Sequence, residues 1–159
     1  MLQFFISLAF STAVPALFLY VFARTGVTSA VDVPERKDRY LPFAMAMGSY
    51  SLGSVLLIFA HSPPLVTAFM MCYLVNTAVI SLISLRWKIS VHATGIAGPA
   101  VILSYALGAV ALVFLLLIIP VAWARISLKA HSLAQVAAGF ILTPAVTYVQ
   151  LIAYLTALH

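Results

Sequence analysis

The chain predicts an all-α polytopic membrane bundle of about six transmembrane helices, and three observations carry that expectation. The first is composition: 65% of the residues are apolar and 7% charged, with a mean hydropathy of +1.18, against roughly 25% charged in a soluble domain. A soluble chain of this size buries only about 70% of the surface it exposes when unfolded, so this much apolar surface calls for lipid as its solvent. The second is that apolar runs of spanning length alternate with short breaks of charge or proline. The third is that every Lys and Arg falls in a few of those breaks.

Taken in order, residues 2–22 form the first span. Its apolar stretch has no preceding Lys or Arg and exceeds a signal-peptide core, so it is read as retained. The only polar stretch of any length follows, ARTGVTSAVDVPERKDRY. Residues 41–60 form the second span, and HSPP (His61 to Pro64) breaks the chain, because paired prolines cannot continue a helix. Residues 65–84 form the third. The segment from His92 to Arg125 decides the architecture. As one helix it would run about 50 Å, against a hydrocarbon core of about 30 Å. Two shorter spans, 91–107 and 109–124, fit better, with Gly108 permitting the turn. Residues 131–157 form the last span. No repeat or second domain is visible, so 1–159 reads as a single integral-membrane unit. Ser49 and Gly53, four apart in the second span, predict close helix packing. Asn76 and Thr77 read as interhelical hydrogen-bonders. Tyr20, Tyr40, Trp87 and Trp123 fall at span ends, as interfacial aromatics do.

Six spans put segments 23–40, 85–92 and 125–130 on one membrane face. Arg24, Arg36, Lys37, Arg39, Arg86, Lys88, Arg125 and Lys129, all of the chain's Lys and Arg, then share that face. Five spans would send Arg125 and Lys129 across. The positive-inside rule makes the basic face cytoplasmic, although an anion site would gather the same charges. The expected location is a bacterial or archaeal plasma membrane. Cys72, the one cysteine, lies in an apolar run and has no intramolecular partner for a disulfide.

Three polar clusters therefore meet: PERKDR (Pro34 to Arg39), RWKISVH (Arg86 to His92) and the stretch from Arg125 to Gln135. Guanidinium groups match phosphate oxygens bidentately, and a pair of histidines among them suits nucleophilic and acid–base work. Arg125-x5-His131-x3-Gln135 resembles the third signature of the type 2 phosphatidic-acid phosphatase superfamily, Ser-Arg-x5-His-x3-Asp. Ile89-Ser90-Val91-His92 resembles the second, Pro-Ser-Gly-His. The first, Lys-x6-Arg-Pro, is matched loosely by Arg39 with Pro42 nearby, and Arg36 or Lys37 stands in for a lysine where the spacing brings Asp32. The resemblance covers residues 34–140.

What the resemblance implies is a membrane phosphatase acting on a lipid phosphate or isoprenoid diphosphate. His131 would attack phosphorus and form a phosphohistidine. His92 would protonate the leaving group and then activate water. Arg125 and Arg39, with Arg36 or Lys37, would hold the phosphate oxygens, and Ser90 and the Val91 N–H would add hydrogen bonds. No metal or other cofactor is implied, and no carboxylate cluster offers to bind one. Three positions depart from the pattern: Gln135 stands for the aspartate, Val91 for a glycine and Ala124 for a serine. The amide of Gln135 can fix a histidine tautomer but brings no negative charge, and the comparable loss in serine-protease triads lowers kcat by about 10⁴.

A catalytically silent relative that binds anionic lipid headgroups, or serves as a subunit of a larger membrane complex, therefore stands beside the enzyme. Haem ligation by His92 and His131 is weaker, since the surrounding cations suit phosphate better. A transporter is weaker still, because no charge falls at mid-membrane. The simpler readings remain: histidines at helix ends, Arg24, Arg86, Lys88 and Lys129 as interfacial anchors, and PERKDR as a solvated loop. Of these anchors Lys88 and Lys129 are the ones expected to reach a ligand, and His61 and His159 carry no assignment. Membrane lipids and a lipid phosphate are the expected partners, and no nucleic acid is expected.

Overall fold

The computed structural model describes residues 1–29, 33, 35 and 37–157. Asp32, Pro34, Arg36, His159 and the side chain of Lys37 lie outside the described residues. Six helical spans follow one another: α1 (Leu2–Arg24), α2 (Tyr40–Phe59), α3 (Pro64–Ser84), α4 (Val91–Leu107), α5 (Ala109–Ser127) and α6 (Leu133–Ala157). Five are long and apolar enough to cross a membrane, and α4, with 17 residues, is the shorter sixth. The molecule is an all-helical membrane bundle.

The breaks follow from local chemistry. α2 ends at Phe59, and Pro63 and Pro64 begin the next helix, with Pro64 in the first turn of α3, where its missing N–H costs no hydrogen bond. Gly108 turns the chain between α4 and α5 with φ 82° and ψ −178°, a conformation essentially confined to glycine. The long apolar stretch thus folds back where its length requires. Its two arms are wound differently: α5 opens with nine residues of 3₁₀-helix, Ala109–Leu117, before continuing as α-helix over Ile118–Ser127. At 2.0 and 1.5 Å per residue α5 spans about 33 Å, whereas α4 spans about 25 Å.

In α1 a π-helical turn covers Ala9–Ala13, just before Pro15. Ser49 of α2 donates to the Phe10 carbonyl there at 2.7 Å. A Cβ added to Gly53 would lie 2.6 Å from Phe10 Cβ, so the small pair does permit close approach. No residue of α1 is fully buried, and its Ile6 and Phe10 pack against Tyr50, Leu57 and Met70.

The remaining spans pack most closely as α4 on α6 and α2 on α3, with α3 also against α6. Ala68 and Cys72 of α3, Ile102 of α4, and Leu151 and Leu155 of α6 form one apolar cluster. Phe43 of α2, Ile80 of α3 and Ile89 form another, under the basic end. Within this interior Asn76 Nδ2 donates to Thr147 Oγ1 at 2.8 Å, and Gln150 Nε2 donates to Asn76 Oδ1 at 3.1 Å, joining α3 to α6. Such bonds are worth making in hydrocarbon, where the alternative is an unpaired polar group.

One boundary differs from expectation in a way that matters. The last helix begins at Leu133 rather than at 131, which leaves His131 just outside it. Ser132 is the reason, because its side chain caps the helix.

Candidate functional site

Two serines start the two helices that frame the site. Ser90, fully buried, holds an extended conformation, and its Oγ accepts the Ala93 N–H at 3.4 Å, capping α4. At α6, Ser132 Oγ accepts the Gln135 N–H at 3.3 Å, and Gln135 Oε1 accepts the Ser132 N–H at 3.1 Å. This is a capping box, in which a Ser and a Gln three residues apart satisfy each other's backbone donors. The two starts are also joined directly: Ser90 N–H donates to the Gln135 carbonyl at 3.2 Å. A Cβ on Gly139 would stand 2.8 Å from the Ser90 carbonyl oxygen, so α6 reaches α4 only because that position has no side chain.

His131 sits against this junction, 7% exposed, with Nδ1 at 3.3 Å from Gln135 Oε1. That oxygen already accepts from Ser132, so it is an acceptor, and Nδ1 carries the proton in the bond between them. Arg125, in the last turn of α5, holds the preceding turn: its carbonyl accepts the N–H groups of Ala130 and His131 at 3.0 and 3.2 Å. Lys129 completes that turn with φ 52°.

Arg39 comes from the start of α2. It is 6% exposed, and its guanidinium donates from Nε to the Val33 carbonyl at 3.1 Å and from Nη1 to the Ile89 carbonyl at 3.2 Å. The loop after α1 is thereby tied to the residue preceding Ser90. Val33 holds φ 44°, which a β-branched residue adopts only when its surroundings impose it. Asp38 braces the same loop by accepting the Ser29 N–H at 3.3 Å.

Burial lowers the pKa of His131 below the ordinary histidine value, and the positive charges of Arg39 and Lys88 lower it further. The hydrogen bonds of the ring to Gln135 and to the Lys88 backbone carbonyl oppose this without reversing it. The ring is therefore neutral at pH 7 although it stands among cations, the state a nitrogen nucleophile requires. A neutral buried imidazole, a buried guanidinium and the N-terminus of α4, where first-turn amides lack acceptors within the helix, together make an environment suited to an anion.

Of the residues expected from sequence, His131, Gln135, Ser90 and Arg39 converge here, and Arg125 supports His131 through its backbone. His92 lies in the first turn of α4, on its exposed side. Arg36 and the side chain of Lys37 fall outside the described residues. Lys88, expected as an interfacial anchor able to reach a ligand, acts on the His131 ring through both its charge and its carbonyl. Its place two residues before Ser90 was the available signal. Ser132 escaped notice altogether, although the Ser-x-x-Gln pattern of a capping box was there to be read. Among the described residues no three His, Cys, Asp or Glu side chains group as metal ligands. No protein-family model, curated protein or solved structure matches the chain.

Proposed function

We propose that the protein is a membrane-embedded phosphatase that removes phosphate from a lipid phosphate or isoprenoid diphosphate, by way of a phosphohistidine on His131. The observation that carries this reading is the hydrogen bond of half-buried Gln135 to buried His131, beside Arg39 and Lys88 at the capped start of α4. A neutral ring keeps a lone pair on whichever nitrogen carries no proton, and that nitrogen attacks phosphorus as the bond from phosphorus to the leaving oxygen breaks. His92 donates a proton to that oxygen. It then takes one from a water molecule whose oxygen attacks phosphorus, and cleavage of the N–P bond frees inorganic phosphate and the neutral ring. Arg39, Lys88 and Arg125, with Arg36 or Lys37 from the adjoining loop, meet the charge on the transferring group, and the Ser90–His92 helix start adds backbone donors. The basic face lies toward the cytoplasm by the distribution of Lys and Arg.

Gln135 favours a second reading, in which the site binds an anionic headgroup without turnover, alone or as part of a larger membrane complex. Its carbonyl oxygen is shared between the helix cap and the ring, and it adds no negative charge to steady an imidazolium. Phosphate release from lipid phosphates by the purified protein, alongside His131→Ala and Gln135→Asp, separates the two. The phosphatase reading expects release that His131→Ala abolishes and that Gln135→Asp raises, by up to about the 10⁴-fold that a triad carboxylate supplies. Release by Gln135→Asp alone gives the second reading. Silence from all three forms removes the enzyme.

A further inference from the structure

The buried ring of His131 meets two acceptors, Gln135 Oε1 at 3.3 Å from Nδ1 and the Lys88 carbonyl. Both are uncharged. A neutral imidazole has one N–H to offer them, whereas an imidazolium has two. The hydrogen bonds are therefore laid out for a cation, while the surrounding charges favour a neutral ring.

Those charges come from several elements. Arg39 reaches in from the start of α2 and Lys88 from the segment before α4, and both act on the ring. Arg125, in the last turn of α5, gives its carbonyl to the His131 N–H, and Lys129 and His92 stand exposed beside the site. Of the chain's three carboxylates, Asp38 accepts the Ser29 N–H, Glu35 is exposed, and Asp32 lies outside the described residues. Among the described residues no carboxylate acts on the ring.

An anion held by Arg39 and Lys88 at the start of α4 reverses this balance. It offsets the two charges that keep a proton away, and an opposite charge within about 4–6 Å favours the protonated ring. A proton from solvent then joins the ring nitrogen that carries none, and both N–H groups serve the two acceptors.

We propose that the site takes a doubly charged tetrahedral oxyanion together with one proton, which goes to His131, so that the ligand supplies the negative charge that a carboxylate at position 135 would bring. This rests on the phosphate reading above, in either of its forms, and narrows the ligand by charge. A phosphate monoester reaches two negative charges near neutral pH and fits, whereas a diester stops at one. Proton and anion strengthen each other's binding by the same factor. In the phosphatase form, affinity and turnover then run in opposite directions with pH, because a protonated ring is no nucleophile.

The test follows the histidine resonances of the full chain in nanodiscs by NMR, titrated over about pH 5.5 to 8. Inorganic sulfate, which keeps both charges throughout, and dioleoylglycerol phosphate are the ligands, and equilibrium binding of each is measured alongside. Either ligand should move the titration of His131 to higher pH, and movement with the lipid alone makes the headgroup the source of the anion. Sulfate should bind wild type about tenfold or more tighter at the acid end than at the alkaline end. Gln135→Asp, whose carboxylate keeps the ring protonated throughout, and His131→Gln, which has no proton to gain, should bind it with little change over the range. A ligand that binds while the His131 titration stays in place, or that moves only His92, overturns the proposal and leaves the anion site standing. Failure of both ligands to bind overturns the phosphate reading as well. The wild-type titration decides the matter even if a variant does not fold.

Discussion

The two ends of the bundle turn their helices by opposite means. At one end the chain reverses through backbone chemistry: Pro63 and Pro64 after His61, which is exposed and holds φ 49°, and Gly108 with φ 82°. At the basic end the backbone also turns, at Val33 with φ 44° and at Lys129 with φ 52°, but side chains hold the joints. Arg39 clamps the Val33 and Ile89 carbonyls, and Ser90, Ser132 and Gln135 cap and join two helix starts. Among the described residues His61 stands at one end and His92 and His131 at the other, and of the three His131 alone is buried. The contrast separates a turn that has merely to close from one whose polar groups also shape an anion site. Changes at the first end should alter stability alone, whereas changes at the second should alter stability and His131 together.

The strongest way to break that comparison is Arg39→Leu. It removes two charge-assisted donors from buried carbonyls and should destabilise the protein by roughly 3 kcal/mol, while His61→Ala should stay within about 0.5 kcal/mol. Unfolding by denaturant in mild detergent measures both, and equal costs would mean that Arg39 anchors nothing. Next come two glycines of similar expected cost, about 2 kcal/mol each. Gly139→Ala drives a methyl group toward the Ser90 carbonyl and should shift the imidazole resonances of His131. Gly108→Ala strains the far turn and should leave those resonances in place. If NMR shows both or neither moving His131, the two ends are not distinct in this sense.

The smallest effect concerns pH. Folding lowers the pKa of His131, so below the ordinary histidine value near 6.5 the unfolded chain binds a proton that the folded chain resists. That contribution to stability is present above pH 6.5 and is lost as the pH falls through the lowered value. Wild type should therefore lose Tm between pH 7 and 5 more steeply than His131→Gln, and parallel curves would remove the ring from this account.

Much of the bundle was legible in the sequence, because the hydrocarbon thickness is a ruler. The stretch from His92 to Arg125 is too long for one span, and that arithmetic located the turn at Gly108. The winding within the spans was not legible. Nothing in the residues of Ala9–Ala13 or Ala109–Leu117 separates π or 3₁₀ winding from α, so neither stretch announces itself. At the site, spacing brought His131 and Gln135 into view, but the helix start was misplaced because Gln135 was read for chemistry and not also as a cap. The grip of Arg39 on Ile89 joins residues 50 apart in sequence, and no local pattern encodes it.

The 3₁₀ stretch of α5 has a consequence for how the chain meets its bilayer. Nine residues at 2.0 Å rather than 1.5 Å each gain about 4.5 Å of length. The arms of the hairpin at Gly108 have similar residue counts, 17 and 19, but reach differently. The outer arm meets the thickness of the membrane by its pitch, as a drawn-out coil does, and the inner arm stays short against α6. Tilt, local thinning of the lipid and added residues are the usual remedies for mismatch. This chain adds a fourth, a change of gauge within one helix.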